Sequence, residues 1–441
     1  MPLLSGDPRV LLILHKNTSP LDYALPLLRR LRRTHPTAGL GVLYAALNKR
    51  QILRGGAFYS RVLADSGVPE YDFADFLRVP GGGALRGLFA RSPNDGLRGL
   101  SGRVRRAVYR RTDEFAGRTL VDVERILPEF DPGAVLFDNR TVTDFPGRRA
   151  FYDYLDAARK PVYLLPHAPH HNGPNAFIPY DDQGEALPPY AEYWMPFALD
   201  RMWEALPAQR EQFVYVGYPG LDADWLAWLR SADGPLDPAP AAEGPLRCLF
   251  IIRKFLPPGQ PREGQDVYIM DYAEFADLLS LLADSVARAE RATGRHIEVV
   301  VKPHPSNDYE SVRSVMAGSG IARWRITEES VYATLNQIDC VVSLYSTTLL
   351  TPAMAGIPVV LLRTAAQDWI HQWPEMRQLY EGLAYYLPDP AALRDALPEV
   401  AALAAAGGSF TTDVAHLRQF YPDGAAERCA ARLGLAEPAP A

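Results

Sequence analysis

Apolar residues in this chain fall in short unbroken runs, each closed by a polar cluster. Val10–Leu14, Ala134–Phe137, Pro161–Leu165, Glu192–Phe197 and Phe213–Val216 form one series. Cys248–Ile252, Ile297–Val301, Cys340–Leu344 and Val359–Leu362 form a second. Runs without polar alternation are what strands buried on both faces of a parallel sheet require. Between them the period changes to helical. Leu25, Leu28 and Leu31 line one face of a helix over about Leu21–Arg33, and further helices are predicted over 145–159, Tyr272–Thr293, Ser330–Gln337 and Leu349–Ala355. Leu40–Tyr44 reads as a second strand although glycines dilute it, and Trp324–Glu329 as a short edge. Strand followed by helix, repeated, predicts a doubly wound α/β plan. Ala232–Leu246 (ADGPLDPAPAAEGPL) is rich in Pro, Ala and Gly without periodicity and reads as a linker. The expected organisation is therefore a Rossmann-like domain over 1–230, a linker over 231–246, a second Rossmann-like domain over 247–409, and a terminal segment over 410–441.

Composition narrows the class. A chain of 441 residues has room for two full cores, and 48% apolar with 22% charged residues is an ordinary globular balance. The apolar runs are too short to span a bilayer, and Met1–Gly6 lacks the charged and apolar regions of a secretory signal, so a cytoplasmic location is expected. Cys248, Cys340 and Cys429 form no framework and read as small buried apolar residues. A net charge of −6 and a pI near 5.9 argue against nucleic acid as a partner. That charge is unevenly spread: residues 1–118 carry 20 Lys and Arg against 9 Asp and Glu. Within this basic third, Leu97, Leu100, Val104 and Val108 recur at helical spacing among Arg98, Arg103, Arg105, Arg106, Arg110 and Arg111. The stretch 97–111 thus reads as a basic amphipathic helix suited to peripheral contact with an anionic membrane, or equally as a surface helix with solvated arginines.

The polar clusters carry the candidate chemistry, because an open parallel sheet binds ligands beyond the carboxyl ends of its strands. Ile297–Val301 runs into Lys302-Pro303-His304-Pro305, whose prolines fix φ and hold the His304 ring in place. Cys340–Leu344 runs into Tyr345-Ser346-Thr347-Thr348 at a helix start, where free N–H groups favour an anion. A cap without a ligand explains the Ser-Thr-Thr cluster alone. Arg253 and Lys254 follow Cys248–Ile252 and are candidate partners of a diphosphate, with solvated loop charges as the alternative. In the first half, Ala134–Phe137 ends at Asp138, and Pro161–Leu165 leads to His167, His170 and His171. A histidine there can take the proton of an incoming hydroxyl, so His167, then His170 or Asp138, are the candidate bases. No Cys or Glu stands at zinc-ligand spacing from these histidines, and no metal is expected.

The KPHP run and the following D-x-V-V-S-x-x-S-T-T-L-L-x-P-A-x-x-G-x-P-V-V pattern, over about Glu298–Val360, resemble the nucleotide-binding half of GT-B transferases of bacterial surface polysaccharides. Capsule Kdo transferases, polysialyltransferases and teichoic-acid glycerophosphotransferases belong to this group. The resemblance implies two Rossmann-like domains facing across a cleft, with His304, Pro305, Ser346, Thr347 and Thr348 holding nucleotide phosphates. Gly217–Asp222 is similar to the exit from the first domain of such enzymes, and Asp423-Gly424-Ala425-Ala426 to the start of a last helix returning to that domain. A His-Gly of the glycerophosphotransferases has its counterpart at His167, where Ala168 departs from the pattern. The implied reaction moves a sugar or polyol phosphate from a nucleotide-sugar or CDP-polyol donor, without a resident cofactor, to a glycan or lipid-linked acceptor. Two alternatives stay open: a non-hydrolysing UDP-N-acetylglucosamine 2-epimerase, whose His-Arg-Arg-Glu-Asn run is not evident here, and a non-catalytic nucleotide-sugar-binding protein.

Overall fold

The computed structural model describes residues 6–14, 19–44, 57–72, 76, 123–138, 154–155, 157–166, 168–170, 191–199, 202–205, 207–239, 243–256, 269–304, 307–364 and 373–435. The chain divides into two compact units, Met1–Asp222 with Gly424–Ala441, and Ala223–Asp423.

Among the described residues the first unit holds seven strands: β1 (Arg9–Leu14), β2 (Gly39–Tyr44), β3 (Glu70–Asp72), β4 (Ala134–Asp138), β5 (Val162–Leu165), β6 (Ala191–Met195) and β7 (Phe213–Tyr215). They form one parallel sheet in the order β3-β2-β1-β4-β5-β6-β7. All six residues of β2 are buried, its glycines included, because helices cover both faces of such a sheet. The helix Ser19–Thr34 buries Leu21, Leu25, Leu28 and Leu31, the face its spacing predicts. Only Tyr154, Leu155 and Ala157 of the helix expected over 145–159 are described as helical, and the basic stretch 97–111 lies outside the described residues.

The C-terminal helix Ala425–Arg432 packs in this first unit through Ala425, Ala426, Cys429 and Ala430. Its first N–H groups are met by a residue two hundred positions earlier. The Asp222 carboxylate accepts from Ala425 N at 3.0 Å and Ala426 N at 2.8 Å. Arg428 Nε donates to the Val216 carbonyl at 2.9 Å, over Gly217. A Cβ at Gly217 (φ +88°) would lie 2.6 Å from the Arg428 guanidinium, so only glycine admits this close approach.

The second unit holds β8 (Leu246–Ile251), β9 (Ile297–Lys302), β10 (Trp324–Ile326), β11 (Cys340–Leu344), β12 (Val359–Leu362) and β13 (Tyr385–Leu387). Its sheet is again parallel, in the order β10-β9-β8-β11-β12-β13. The helices Tyr272–Thr293 and Leu393–Ala405 share one core with the sheet, through Phe275, Leu279, Leu282, Leu393, Leu397 and Val400. Asp271 caps the longer helix by accepting from Glu274 N at 2.7 Å, and Gly294 closes it in the left-handed region. Cys248 and Cys340 are buried partners across β8 and β11, both free thiols.

The unit boundary lies at Asp222, ahead of the stretch expected to be a linker. Residues 231–239 and 243–246 sit within the second unit, and the first stretch is tied to it: Asn336 Nδ2 donates to the Asp237 carbonyl at 3.3 Å, Gln337 Nε2 donates to the Pro238 carbonyl at 3.0 Å, and Leu236 is buried. Aperiodic composition therefore produced irregular chain, but anchored irregular chain. Likewise the helix Thr411–Arg418 belongs to the second unit, so only the segment from Gly424 onward joins the first. No helix among the described residues is long and apolar enough to cross a membrane.

Candidate functional site

The order of the second sheet reverses between β8 and β11, with β9 and β10 on one side and β12 and β13 on the other. At such a switch point connections leave neighbouring strands toward opposite faces, and a crevice opens at their carboxyl ends. β8 ends at Ile251 and continues through Ile252 into Arg253 and Lys254. β9 ends on Lys302, followed by Pro303 and His304, while β11 ends at Leu344, followed by Tyr345 and Ser346. Because Ile251 is the register partner of Lys302, and Ile252 N donates to the Lys302 carbonyl at 3.1 Å, the two basic loops start at one level.

Arg253, Lys254, Lys302 and His304 form one electrostatic group. Desolvation by the surrounding loops, then the charges of Arg253, Lys254 and Lys302, push the His304 imidazole down to about 4. The residue as a whole stays exposed to solvent. The imidazole is neutral at pH 7 and offers one N–H as a donor. Arg253 also opposes the upward shift that burial imposes on the Tyr380 hydroxyl, so its charge is felt beneath the site as well. Tyr380 packs edge-on against Tyr345 at 5.0 Å, and burial, followed by the neighbouring Tyr386, raises the Tyr345 hydroxyl above its ordinary range.

Ser346 caps the turn that follows β11: its Oγ accepts from Thr348 N at 3.3 Å. Thr347–Leu349 is a 3-10 turn that leads into the helix Leu350–Met354, and Ser346, Thr347 and Thr348 are half-buried. The helix expected over Leu349–Ala355 is thus present but shorter, with its first turn wound more tightly. Gly356, at φ +75°, closes it, because the chain must reverse there to begin β12.

Pro305 and His167 lie outside the described residues. Asp138 is the last residue of β4, and its side chain is likewise outside them. His170 follows β5 and is buried, 4% exposed, with its ring 6.4 Å from that of Phe197. A residue with no sequence signal joins the basic group. Asn307, 7% exposed, donates from Nδ2 to the Arg253 carbonyl at 3.1 Å and accepts at Oδ1 from Phe255 N at 3.3 Å. Phe255 in turn stacks on Phe275 at 4.3 Å, which pins the β8 loop to the long helix.

No protein-family model matches the chain, and no curated protein sequence does. Solved structures match it in fold. A UDP-N-acetylglucosamine 2-epimerase superposes with a TM-score of 0.53 at 14% identity, over 100% of this chain and 99% of that one. A Listeria monocytogenes protein described as a UDP-N-acetylglucosamine 2-epimerase gives 0.51 at 16% identity, over 97% and 96%. CalG4, the calicheamicin glycosyltransferase, gives 0.44 at 14% identity, over 97% of each. Two parallel-sheet α/β domains of this kind define the GT-B fold, and the chain has that fold.

Proposed function

We propose that the chain is a transferase that moves a sugar, or a polyol phosphate, from a nucleotide-activated donor to a surface glycan or lipid-linked acceptor. The observation that carries this reading is the group Arg253, Lys254, Lys302 and His304 at the carboxyl ends of β8 and β9, beside the Ser346 turn after β11. Fixed cations and N–H donors aimed at a leaving diphosphate or monophosphate stabilise the charge that builds on it as the donor bond breaks. In this reading the cations of the chain meet that charge, and neither a metal nor a resident cofactor is called on. The Ser346–Thr348 turn holds the phosphates, and His167, His170 or Asp138 takes the proton of the acceptor hydroxyl. The protein works in the cytoplasm, with peripheral membrane contact through 97–111.

An epimerase is the second reading, favoured by the fold it shares with the two 2-epimerase structures. The sequence-level resemblance over Glu298–Val360 favours the transferase. Thermal stability is measured with CMP, CDP, UDP, GDP and their sugar or glycerol conjugates, for the native chain and His304→Ala. A nucleotide at a hundredfold excess over its dissociation constant adds about 2.7 kcal/mol. Selective stabilisation by one nucleotide, lost in His304→Ala, is expected, and no shift with any of them refutes the site. Turnover of a nucleotide sugar without an acceptor would favour the epimerase instead.

A further inference from the structure

We infer that Asn307 is a positioning residue of the anion site: its carboxamide joins the loop after β8 to the loop after β9, so that Arg253 and Lys254 act together with Lys302 and His304. This rests on the reading of that site given above.

The geometry is a two-sided clamp. Asn307 Nδ2 donates to the Arg253 carbonyl at 3.1 Å, while its Oδ1 accepts from Phe255 N at 3.3 Å, so one side chain satisfies the backbone on both sides of Lys254. The Asn307 N–H donates to the His304 carbonyl at 2.8 Å, which turns the β9 loop back on itself. The side chain is thus fixed to the basic loop of β8 and the main chain to the basic loop of β9. Further out, Met270 N donates to the Lys254 carbonyl at 3.1 Å, and Asp308 caps the helix Tyr309–Ala317 by accepting from Ser311 N at 3.2 Å. The clamp therefore stands between two anchored points. A buried carboxamide with both ends engaged is held against the mutual repulsion of the cations on either side.

The test uses the full chain and inorganic pyrophosphate as probe, with CDP as a second ligand. Affinities are measured by calorimetry and the His304 ring is titrated by NMR in the native chain, Asn307→Ala and Asn307→Asp. Asn307→Ala is expected to weaken pyrophosphate by about tenfold, one charge-supporting hydrogen-bond pair. It also lets Arg253 and Lys254 drift from His304, whose midpoint rises from about 4 toward the ordinary 6.5. Asn307→Asp keeps the acceptor for Phe255 and loses the donor to Arg253; it serves if the alanine variant does not fold, with the same direction of change. Asn336→Ala, remote from the site, controls for general loosening and leaves both readouts unchanged. Unaltered affinity and an unaltered His304 midpoint overturn the positioning role. A native chain that binds neither ligand overturns the phosphate-site reading, while the His304 titration still decides what Asn307 does.

Discussion

Replacing Asp222 with Ala should release the C-terminal helix from the first unit while leaving the second unit folded. Asp222 is 3% exposed, and its two oxygens take the N–H groups of Ala425 and Ala426 at 3.0 and 2.8 Å. Gly424, the residue before the helix, supplies no side-chain cap, so the substitution leaves both donors buried and unmet. Hydrogen bonds to a charged group contribute roughly 1.5–3 kcal/mol each, and one carboxylate shared by two donors gives less than twice that. Its charge at a helix N-terminus adds about 0.5 kcal/mol. A loss of about 3 kcal/mol is expected, equivalent to about a hundredfold in the local opening equilibrium. Cys429, 0% exposed within that helix, reports the opening directly through its reaction rate with a thiol reagent. Its labelling should rise by about two orders of magnitude with hydrogen exchange of 425–432. Cys248 and Cys340, in the sheet of the other unit, should keep their rates. A rise of less than threefold at Cys429, or an equal rise at all three thiols, would refute the reasoning.

The His304 ring should respond to ligand. Its folded pKa, about 4, lies below the ordinary 6.5, so its contribution to stability is present above 6.5 and is lost as pH falls through 4. A bound phosphate cancels the neighbouring cations, and an NMR titration with CDP should move the midpoint upward; an unmoved midpoint would mean that the anion binds elsewhere. Asp413 is 1% exposed, accepts from Ala384 N at 2.8 Å through one oxygen, and has no hydrogen bond at the other. Burial raises its pKa, so its share of stability is complete below 3.8 and is lost as pH rises through the higher folded value. Asp413→Asn keeps the acceptor and removes the buried charge, and denaturant unfolding at pH 7 should show a gain of up to about 1 kcal/mol, with a loss counting against the sign. Ser346→Ala should weaken nucleotide binding less than Lys302→Ala, because a 3.3 Å cap bond is replaceable by water whereas a cation in the site is not. Calorimetry separates the two, about 0.5–1 kcal/mol against 1.5–3.

Much of this architecture was legible in the apolar runs. β1, β8, β9, β11 and β12 are buried along nearly their whole length, so their residues are mostly apolar, and both sheets announce themselves through them; the buried exceptions are Arg247, which is paired with Asp339, and Ser343. The edge strands β3 and β13 were not legible. Each has three half-buried residues, too few for alternation to stand out. The placement of charges at strand ends was legible: β9 ends on Lys302 and β8 runs into Arg253, as the sequence predicts. Asn307 was not, because its role depends on a loop fifty residues away and a lone Asn before a helix reads as turn chemistry. The unit boundary falls at the Gly217–Asp222 exit that the resemblance implies, and not at the linker that composition suggests. The crossing at Asp222 is marked by a single carboxylate, while the Pro-rich stretch that follows is more conspicuous and belongs to the second unit.

The two sheets have the same core order, with the first strand beside the fourth, yet the described residues at their carboxyl edges differ in sign. β4 ends on Asp138, whereas β8 runs into Arg253-Lys254 and β9 ends on Lys302. Shared topology gives each half a crevice, and it is the edge residues that decide what the crevice accepts. In the second unit the turn after β11 is short and its first turn is 3-10, so aligned peptide dipoles contribute little there. A lone helix start of this kind would be a weak anion site. On the proposed reading, the cations of β8 and β9 then supply most of the attraction for a phosphate. After desolvation, their charges are what hold the His304 imidazole low, at about 4. A bound phosphate would oppose those charges, so on the proposed reading the His304 midpoint is the property of the second unit that registers its ligand.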